Sequence, residues 1–285
     1  MSQPKVSVVI TAYNRPDYLE AALNSALGQT YGNYEIIVVD DCSKIDMSGA
    51  IESLPGDIRY VHQSKNAGPS TARNRGVALA SGDYVAFLDD DDQWLPNKLE
   101  RQVAVMDGHE ACLCGFTFLE SDRNQVHSIG TVTEQLLRRG NIFCGASGFM
   151  ARREALLACP FDGNLSSGEE WDVYVRMSQQ GSIAYVPEPL FLYRLGSHES
   201  ITTQAQTMTI PDIGVRVAHI HKNRDWLGET HYRILLARKI LEYIGSKSNK
   251  FRFVIYAIRH AGLPATVNVL WKKALRAPDT LATKD

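Results

Sequence analysis

No run of about 18 apolar residues occurs anywhere in the chain, so a membrane-spanning helix is not expected. The first residues lack an apolar stretch followed by a small-residue cleavage site, and no secretory leader is expected. Cysteine is scarce: Cys42, Cys112, Cys114, Cys144 and Cys159 make an odd set with no Cys-x-x-Cys spacing. That excludes a disulfide framework and a structural zinc site, and reduced thiols in a cytoplasmic setting follow. There is no internal repeat and no low-complexity tract. A formal net charge of −2 gives no overall excess of one sign, and nucleic acid is not an expected partner.

The charge that is present is unevenly placed. From Lys222 to Asp285 there are 13 Lys/Arg against 5 Asp/Glu, leaving 17 basic and 27 acidic residues in the rest of the 30 and 32. An acidic body followed by a basic segment suggests that the two parts meet different partners. The sharpest local feature is Phe87-Leu88-Asp89-Asp90-Asp91-Asp92-Gln93-Trp94, four carboxylates directly after an apolar stretch. Adjacent like charges repel, so the run is either a solvated acidic turn or a site that a divalent cation neutralises. Hard cations such as Mg²⁺ and Mn²⁺ take oxygen ligands, often one or two carboxylates completed by substrate phosphates.

The pattern along the chain predicts a parallel sheet. Val6–Ile10, Glu35–Val39, Ile58–Val61 and Tyr84–Leu88 read as buried strands. Asn14 is expected to cap a helix with Pro16 in its first turn and Leu19, Ala22, Leu23, Ala26 and Leu27 on one stripe. A second helix is expected from Ser70 through Leu79, ended by Gly82. Strand–helix–strand alternation implies parallel pairing with right-handed crossovers, and ligands then bind at the carboxyl ends of the strands. Thr11–Tyr13, Asp40–Asp41 and Asp89–Asp92 all fall at such ends. Further on, Ala111–Phe118 reads as a strand and Val132–Arg139 as a short helix. Asn141–Met150, with Gly145, Ser147 and Gly148, suits a loop that approaches a ligand closely. A helix start is expected at Ser167, where Ser167-x-x-Glu170 fits a capping box. Ile183–Val186 and Leu190–Tyr193 read as two strands, and the chain beyond Pro211 as helical.

Five segments in order carry a family resemblance: Val6–Arg15, Ile37–Ser43, Gly68–Asn74, Gly82–Asp92, and Gly168–Asp172 with Arg176. Together they span about the first 200 residues, and they resemble the family 2 glycosyltransferases of the GT-A fold, in particular bacterial enzymes of O-antigen, capsule or colanic acid synthesis. The resemblance implies an α/β, Rossmann-like, mostly parallel central sheet flanked by helices, with a C-terminal helical extension. It implies a catalytic domain over residues 1–210, with a nucleotide-binding half 1–95 and an acceptor-binding half 96–210, followed by a basic helical extension 211–285.

It also implies roles. Thr11, Tyr13 and Asn14 would line the nucleotide site, with Tyr13 packing on uracil; the other use of Tyr13 is as a core residue. Asp40 would accept the uracil N3–H, or else simply cap the turn after its strand. Arg73 would lie near the base or the phosphates, unless it is a solvated helix arginine. Asp90 would bond the ribose hydroxyls, with Asp89 able to replace it, and Asp91 would hold a Mn²⁺ or Mg²⁺ ion. Asp92 would cap the helix that begins near Trp94. His198 is either a further metal ligand or a loop histidine.

Most of the family has Glu-Asp where this chain has Glu169-Glu170. Glu170 therefore takes the place of the catalytic base, with Glu169 and Asp172 as rivals. The implied reaction moves a hexose from a nucleotide sugar, a UDP-hexose by family frequency, to a hydroxyl of a lipid-linked saccharide. Attack opposite the leaving group inverts the anomeric configuration, so an α-linked donor gives a β-linked product. The basic, aromatic runs Lys250–Tyr256 and Val269–Lys273 imply a peripheral position on the cytoplasmic face of the inner membrane, or else an ordinary helical cap. Two other readings stay open. A nucleotidyltransferase would carry a glycine-rich loop after the first strand, and Thr11-Ala12-Tyr13-Asn14-Arg15 has no glycine. A nucleotide-sugar-binding protein without transfer would lack a working base.

Overall fold

The computed structural model describes residues 3–52, 54–121, 123–195, 209–247 and 249–275. The chain folds as two compact units, Met1–Leu195 and Gly196–Asp285. His198 lies outside the described residues.

The first unit is a ten-stranded sheet with helices. Its strands are β1 (Val6–Ala12), β2 (Tyr34–Asp40), β3 (Ile58–His62), β4 (Tyr84–Asp89), β5 (Gln93–Trp94), β6 (Ala111–Phe118), β7 (Asn124–Gln125), β8 (Thr131–Val132), β9 (Met150–Arg152) and β10 (Ile183–Tyr193). Its helices are α1 (Pro16–Leu27), α2 (Gly49–Glu52), α3 (Pro69–Leu79), α4 (Lys98–Val103), α5 (Glu134–Leu137), α6 (Arg153–Ala158) and α7 (Glu169–Ser178). The sheet order is β3-β2-β1-β4-β9-β6-β10-β5, with β7 on β6 and β8 on β10. The first four strands pair in parallel. All seven residues of β1 are buried, which is why it reads as an unbroken apolar run and not as an alternation. The short β9, antiparallel to β4 and to β6, joins that parallel half to the parallel β6–β10 pair.

This register decides where the site lies. Ala12 pairs with Asp40, and Thr11 with Asp89, so the polar ends of β1, β2 and β4 arrive together at one edge of the sheet. Behind them a ring cluster fills the core. Phe87 stacks on Phe149 at 5.6 Å and meets the edge of Phe161 at 5.3 Å, while Phe149 meets Tyr174 of α7 at 5.0 Å.

Several local expectations change. Asn14 does not cap α1. It sits in the left-handed region at φ 55°, and the cap position falls to Arg15, which makes no side-chain cap bond. The Asn14 amide is spent elsewhere: its Oδ1 accepts from Lys44 N at 2.7 Å, tying the β1 loop to the β2 loop. Leu19, Ala22, Leu23 and Ala26 form the buried stripe of α1. α3 runs through Leu79 as expected, but its cap is Ala80 and not Gly82. Gly82 instead lies against β1, where an added Cβ would come within 2.6 Å of Lys5 O and 2.8 Å of Ser7 N.

The expected Ser167–Glu170 capping box does not form, because Gly168 takes the cap position with φ 76° and no side chain caps α7. The two expected strands near residue 187 are one, β10. Its register slips on either side of Pro189 absorb the prolines, which cannot donate to a ladder. Asp92 does not cap α4, whose cap position is Asn97. Gly148 packs against the core: a Cβ there would lie 2.6 Å from Cys144 Sγ and 2.8 Å from Phe191.

The second unit is helical, with Ile213–Lys222, Arg224–Ile240, Lys250–Ala261 and Leu263–Leu275. Gly228, at φ 68°, breaks the second of these near its start. Leu227, Leu235, Leu236, Ile240, Phe253, Ala257 and Val269 are buried, giving this unit an apolar interior. Among the described residues no helix is long and apolar enough to cross a membrane.

Gly82→Ala is expected to destabilise the protein by about 1–3 kcal/mol, because the added methyl meets backbone atoms and not a yielding side chain. Urea unfolding measures this directly. A midpoint equal to the wild type would show that the strand edge can part to admit a methyl group.

Candidate active site

The four aspartates at the end of β4 have four different environments. Asp89 keeps 28% side-chain exposure, and its Oδ1 accepts from Arg73 Nη2 at 2.9 Å and from Thr11 Oγ1 at 3.3 Å. Asp90 is almost fully buried. Its carboxylate accepts from Tyr13 N at 3.0 Å and from Arg15, whose guanidinium clasps both oxygens. Asp91 keeps 19% exposure and accepts from Arg15 Nη1 at 2.8 Å. Asp92 is buried, accepting from Ser147 Oγ at 2.6 Å and from Arg194 N at 3.0 Å.

The cluster therefore presents Asp89 and Asp91 outward, while Asp90 and Asp92 fix the turn from within. Burial pushes the Asp90 carboxyl up to about 7, against the opposing pull of Arg15. Burial also raises Asp92 well above the usual carboxylate range, with Asp91 and Asp89 adding to it. Burial disfavours the Arg15 cation, but Asp90 and Asp91 outweigh that and hold it charged.

Arg73, in α3, is 3% exposed and lies over the Phe161 ring at 5.4 Å, so it is not a solvated helix arginine. Its Nη2 meets Asp89, and its Nη1 lies 3.3 Å from Glu170 and 3.6 Å from Glu169 at the start of α7. Burial alone would lower the Arg73 pKa; Asp89, Glu170 and Glu169 more than offset it, and the guanidinium stays charged. One buried cation faces three carboxylates, and Glu170 is the one whose charge is disfavoured. Burial pushes Glu170 up to about 8, with Glu169 raising it further and Arg73 opposing. Glu169 is itself 4% exposed. Asp172 is fully buried and engaged by Arg176, with Nε and Nη2 each 2.8 Å from its Oδ2.

The β1 and β2 ends complete the edge. Tyr13 is 37% exposed, so it is not a core tyrosine, and its ring is available to a base. Asp40 is fully buried; its Oδ1 accepts from Ser43 N at 2.8 Å and its Oδ2 from the Tyr60 hydroxyl. Both oxygens are therefore engaged, and a base N–H would have to share one. The neighbouring Asp41 accepts from Gln63 Nε2, Ala67 N and Gly68 N, at 2.7, 2.8 and 2.8 Å, and so orders the loop that leads into α3.

Sequence reasoning brought together Thr11, Tyr13, Asp89, Asp90, Asp91, Arg73, Glu169 and Glu170. It missed the pairing of Arg15, although Arg15 directly follows the Tyr13-Asn14 pair. It also missed that Ser147 and Arg194, far away in sequence, hold Asp92. Among the described residues, no three His, Cys, Asp or Glu side chains are grouped as a metal site. Accessible Asp91, with Asp89 nearby in sequence, fits a hard cation completed by substrate phosphates and does not fit a cage made of protein alone.

Residues 7–159, more than half of the chain, match the profile of glycosyl transferase family 2. The chain belongs to that family. Relatives from Rickettsia species, described only as uncharacterised glycosyltransferases, are 30–32% identical over 207–217 residues, and the chain spans 29–33% of their length. A family member from Escherichia coli K12 named for colanic acid biosynthesis, WcaA, is 29% identical over 62% of this chain and 67% of its own.

Two solved structures share the fold. Staphylococcus aureus TarS in complex with UDP-GlcNAc has a TM-score of 0.63 at 18% identity, covering 96% of this chain and 82% of that one. The mannosyltransferase PcManGT of Pyrobaculum calidifontis, in complex with GDP-Man and Mn²⁺, has a TM-score of 0.63 at 17% identity, covering 96% and 81%. The fold is thus that of the GT-A glycosyltransferases.

The raised Glu170 has a consequence for stability. Its folded-state pKa stands above the ordinary 4.5, so between that value and about 8 the native state holds a proton that the unfolded chain has released. Stability is then greatest below the ordinary value and falls as pH rises through the window. The unfolding free energy of the ligand-free protein, read from urea titration, is expected to fall between pH 5 and 8 by on the order of 1 kcal/mol per pH unit, and Glu170→Gln to flatten that fall. An unchanged slope in the variant would place the titration on another group.

Proposed function

We propose that the chain is an inverting, metal-dependent hexosyltransferase that moves a sugar from a nucleotide diphosphate donor, a UDP-hexose, to a hydroxyl of a lipid-linked saccharide in bacterial surface-polysaccharide synthesis. The observation that carries this reading is Arg73: one buried side chain holds Asp89, on the donor side, and Glu170, a carboxyl with a raised pKa, in a single cluster. A donor-binding edge and a proton acceptor are thereby set against each other. The name of WcaA supports the pathway, the UDP-GlcNAc complex of TarS supports the UDP donor, and the Mn²⁺ complex of PcManGT supports metal dependence.

In this reading Tyr13 stacks on the uracil ring, and Asp40 shares an oxygen with the uracil N3–H. The ribose hydroxyls meet Asp90 once Arg15 gives way, with Asp89 as the accessible alternative. Asp91 would hold a Mn²⁺ or Mg²⁺ ion, which when bound supplies Lewis-acid neutralisation of the departing diphosphate.

Glu170 then takes the proton of the acceptor hydroxyl as its oxygen bonds to the anomeric carbon and the bond from that carbon to the diphosphate oxygen breaks. The products are the extended saccharide and the nucleoside diphosphate. A base whose pKa lies near the working pH has both the free carboxylate and the basicity for the task. A lipid-linked acceptor places the reaction on the cytoplasmic face of the inner membrane.

Glu170→Gln is expected to lower turnover by about a thousandfold or more while leaving affinity for UDP in the presence of Mn²⁺ within a few-fold of wild type. Single-turnover assay with a nucleotide-sugar panel and calorimetry of UDP separate the two quantities. Turnover retained within a few-fold would move the base to Glu169 or elsewhere.

A further inference from the structure

The helix Leu263–Leu275 is apolar on two opposite faces. One face, with Ala265, Thr266 and Val269, is buried in the second unit. The other carries Leu263, Val267, Trp271 and Leu275, spaced four apart so that they form one stripe along the helix. These four are 57%, 54%, 66% and 69% exposed. A helix that buries one side and still presents a large apolar stripe on the other has a second apolar environment to meet.

The preceding helix repeats the pattern. Phe253, Ala257 and Ala261 face inward, while Phe251 stands 74% exposed beside exposed Arg252, with Ile258 and Arg259 a turn or two further along.

Charge identifies the partner. No Asp or Glu occurs between Glu242 and Leu275, and the cations Lys250, Arg252, Arg259, Lys272 and Lys273 of these two helices are all exposed. A second copy of the chain would bring these like charges against one another, which disfavours self-pairing. Anionic phospholipid complements them, and a stripe of leucine, valine and tryptophan flanked by lysine and arginine is the composition that rests at a headgroup boundary. At 13 residues the helix Leu263–Leu275 is too short to cross a bilayer, so contact of this kind is in-plane.

We propose that the outward stripe Leu263–Val267–Trp271–Leu275, with Phe251 and the cations around it, is a docking face for an anionic phospholipid bilayer. The inference gives the proposed lipid-linked acceptor a physical location but is tested without any sugar transfer. The stripe also differs from the runs that composition alone singled out, because Phe253 and Val269 within those runs point inward.

The full chain is mixed with phosphatidylcholine vesicles prepared with and without phosphatidylglycerol, and partition is measured by sedimentation. Binding to the anionic vesicles is expected, weakening as salt is added. The double variant Val267→Glu/Trp271→Glu is expected to bind at least about tenfold more weakly, since it removes apolar contact and adds two charges of the wrong sign. Both positions are exposed, so its melting temperature and its UDP affinity are expected to match the wild type, which keeps loss of fold apart from loss of docking. Lys272→Glu, which leaves the stripe intact, is expected to bind about fivefold more weakly or worse.

Equal partition of wild type and double variant would overturn the proposal. So would wild-type binding that does not distinguish the two vesicle types, or a dimer in solution that Val267→Glu abolishes, which would assign the stripe to a second copy. Failure of vesicle binding with normal sugar transfer to a soluble acceptor would remove the docking face and leave the proposed reaction standing.

Discussion

The buried guanidinium of Arg73 is the constraint on which the site depends. It rises from α3, lies over Phe161, and reaches the last residue of β4 and the first two of α7. The consecutive elements α3 and β4 are thereby tied by one charge to α7, far along the chain. A buried cation is tolerable only with carboxylates around it, and these carboxylates are tolerable in a dry site only with the cation. Burial and the imbalance of three against one leave Glu170 with a raised pKa, which is what would suit it to the proposed proton transfer.

Arg15 does for Asp90 and Asp91 what Arg73 does for Asp89. It joins buried Asp90 to accessible Asp91, giving the turn an internal counter-charge. Behind the turn, Asp92 is locked by Ser147 and by the backbone of Arg194, and Ser147 also accepts from Asp89 N at 3.1 Å. Trp94 adds a further tie, its Nε1 donating to Ser147 O at 2.9 Å. The run of four like charges is thus divided between scaffold and site, and the alternation of buried and accessible carboxylates follows from the chain direction at the end of β4.

Much of this was legible in the sequence because it rests on local pattern. β1, β2 and β4 are continuous apolar runs, and the polar residues that end them mark the binding edge of a parallel sheet. Other features were not legible because they depend on partners brought together only by folding. Asn14 has the chemistry of a helix cap, but the neighbouring loop at Lys44 competes for its side chain and wins. Ser167-x-x-Glu170 has the spacing of a capping box, yet Gly168 in the left-handed region takes the cap position and Glu170 lies beside Arg73, a partner far away in sequence. Asp92 looked like a cap because nothing nearby in the sequence announces Ser147, more than fifty residues away. Pro187 and Pro189 read as a strand break, whereas the sheet accommodates them by slipping register.

The central claim is that the acidic turn accepts a nucleotide diphosphate only together with a divalent ion. Calorimetric titration of the wild-type chain with UDP, in Mn²⁺ and again in excess chelator, tests it most directly. Clear heat and saturable binding are expected with Mn²⁺, and little or none with chelator. Equal uptake under both conditions would contradict the claim, since the outward carboxylates of Asp89 and Asp91 would then have met the diphosphate without a cation between them.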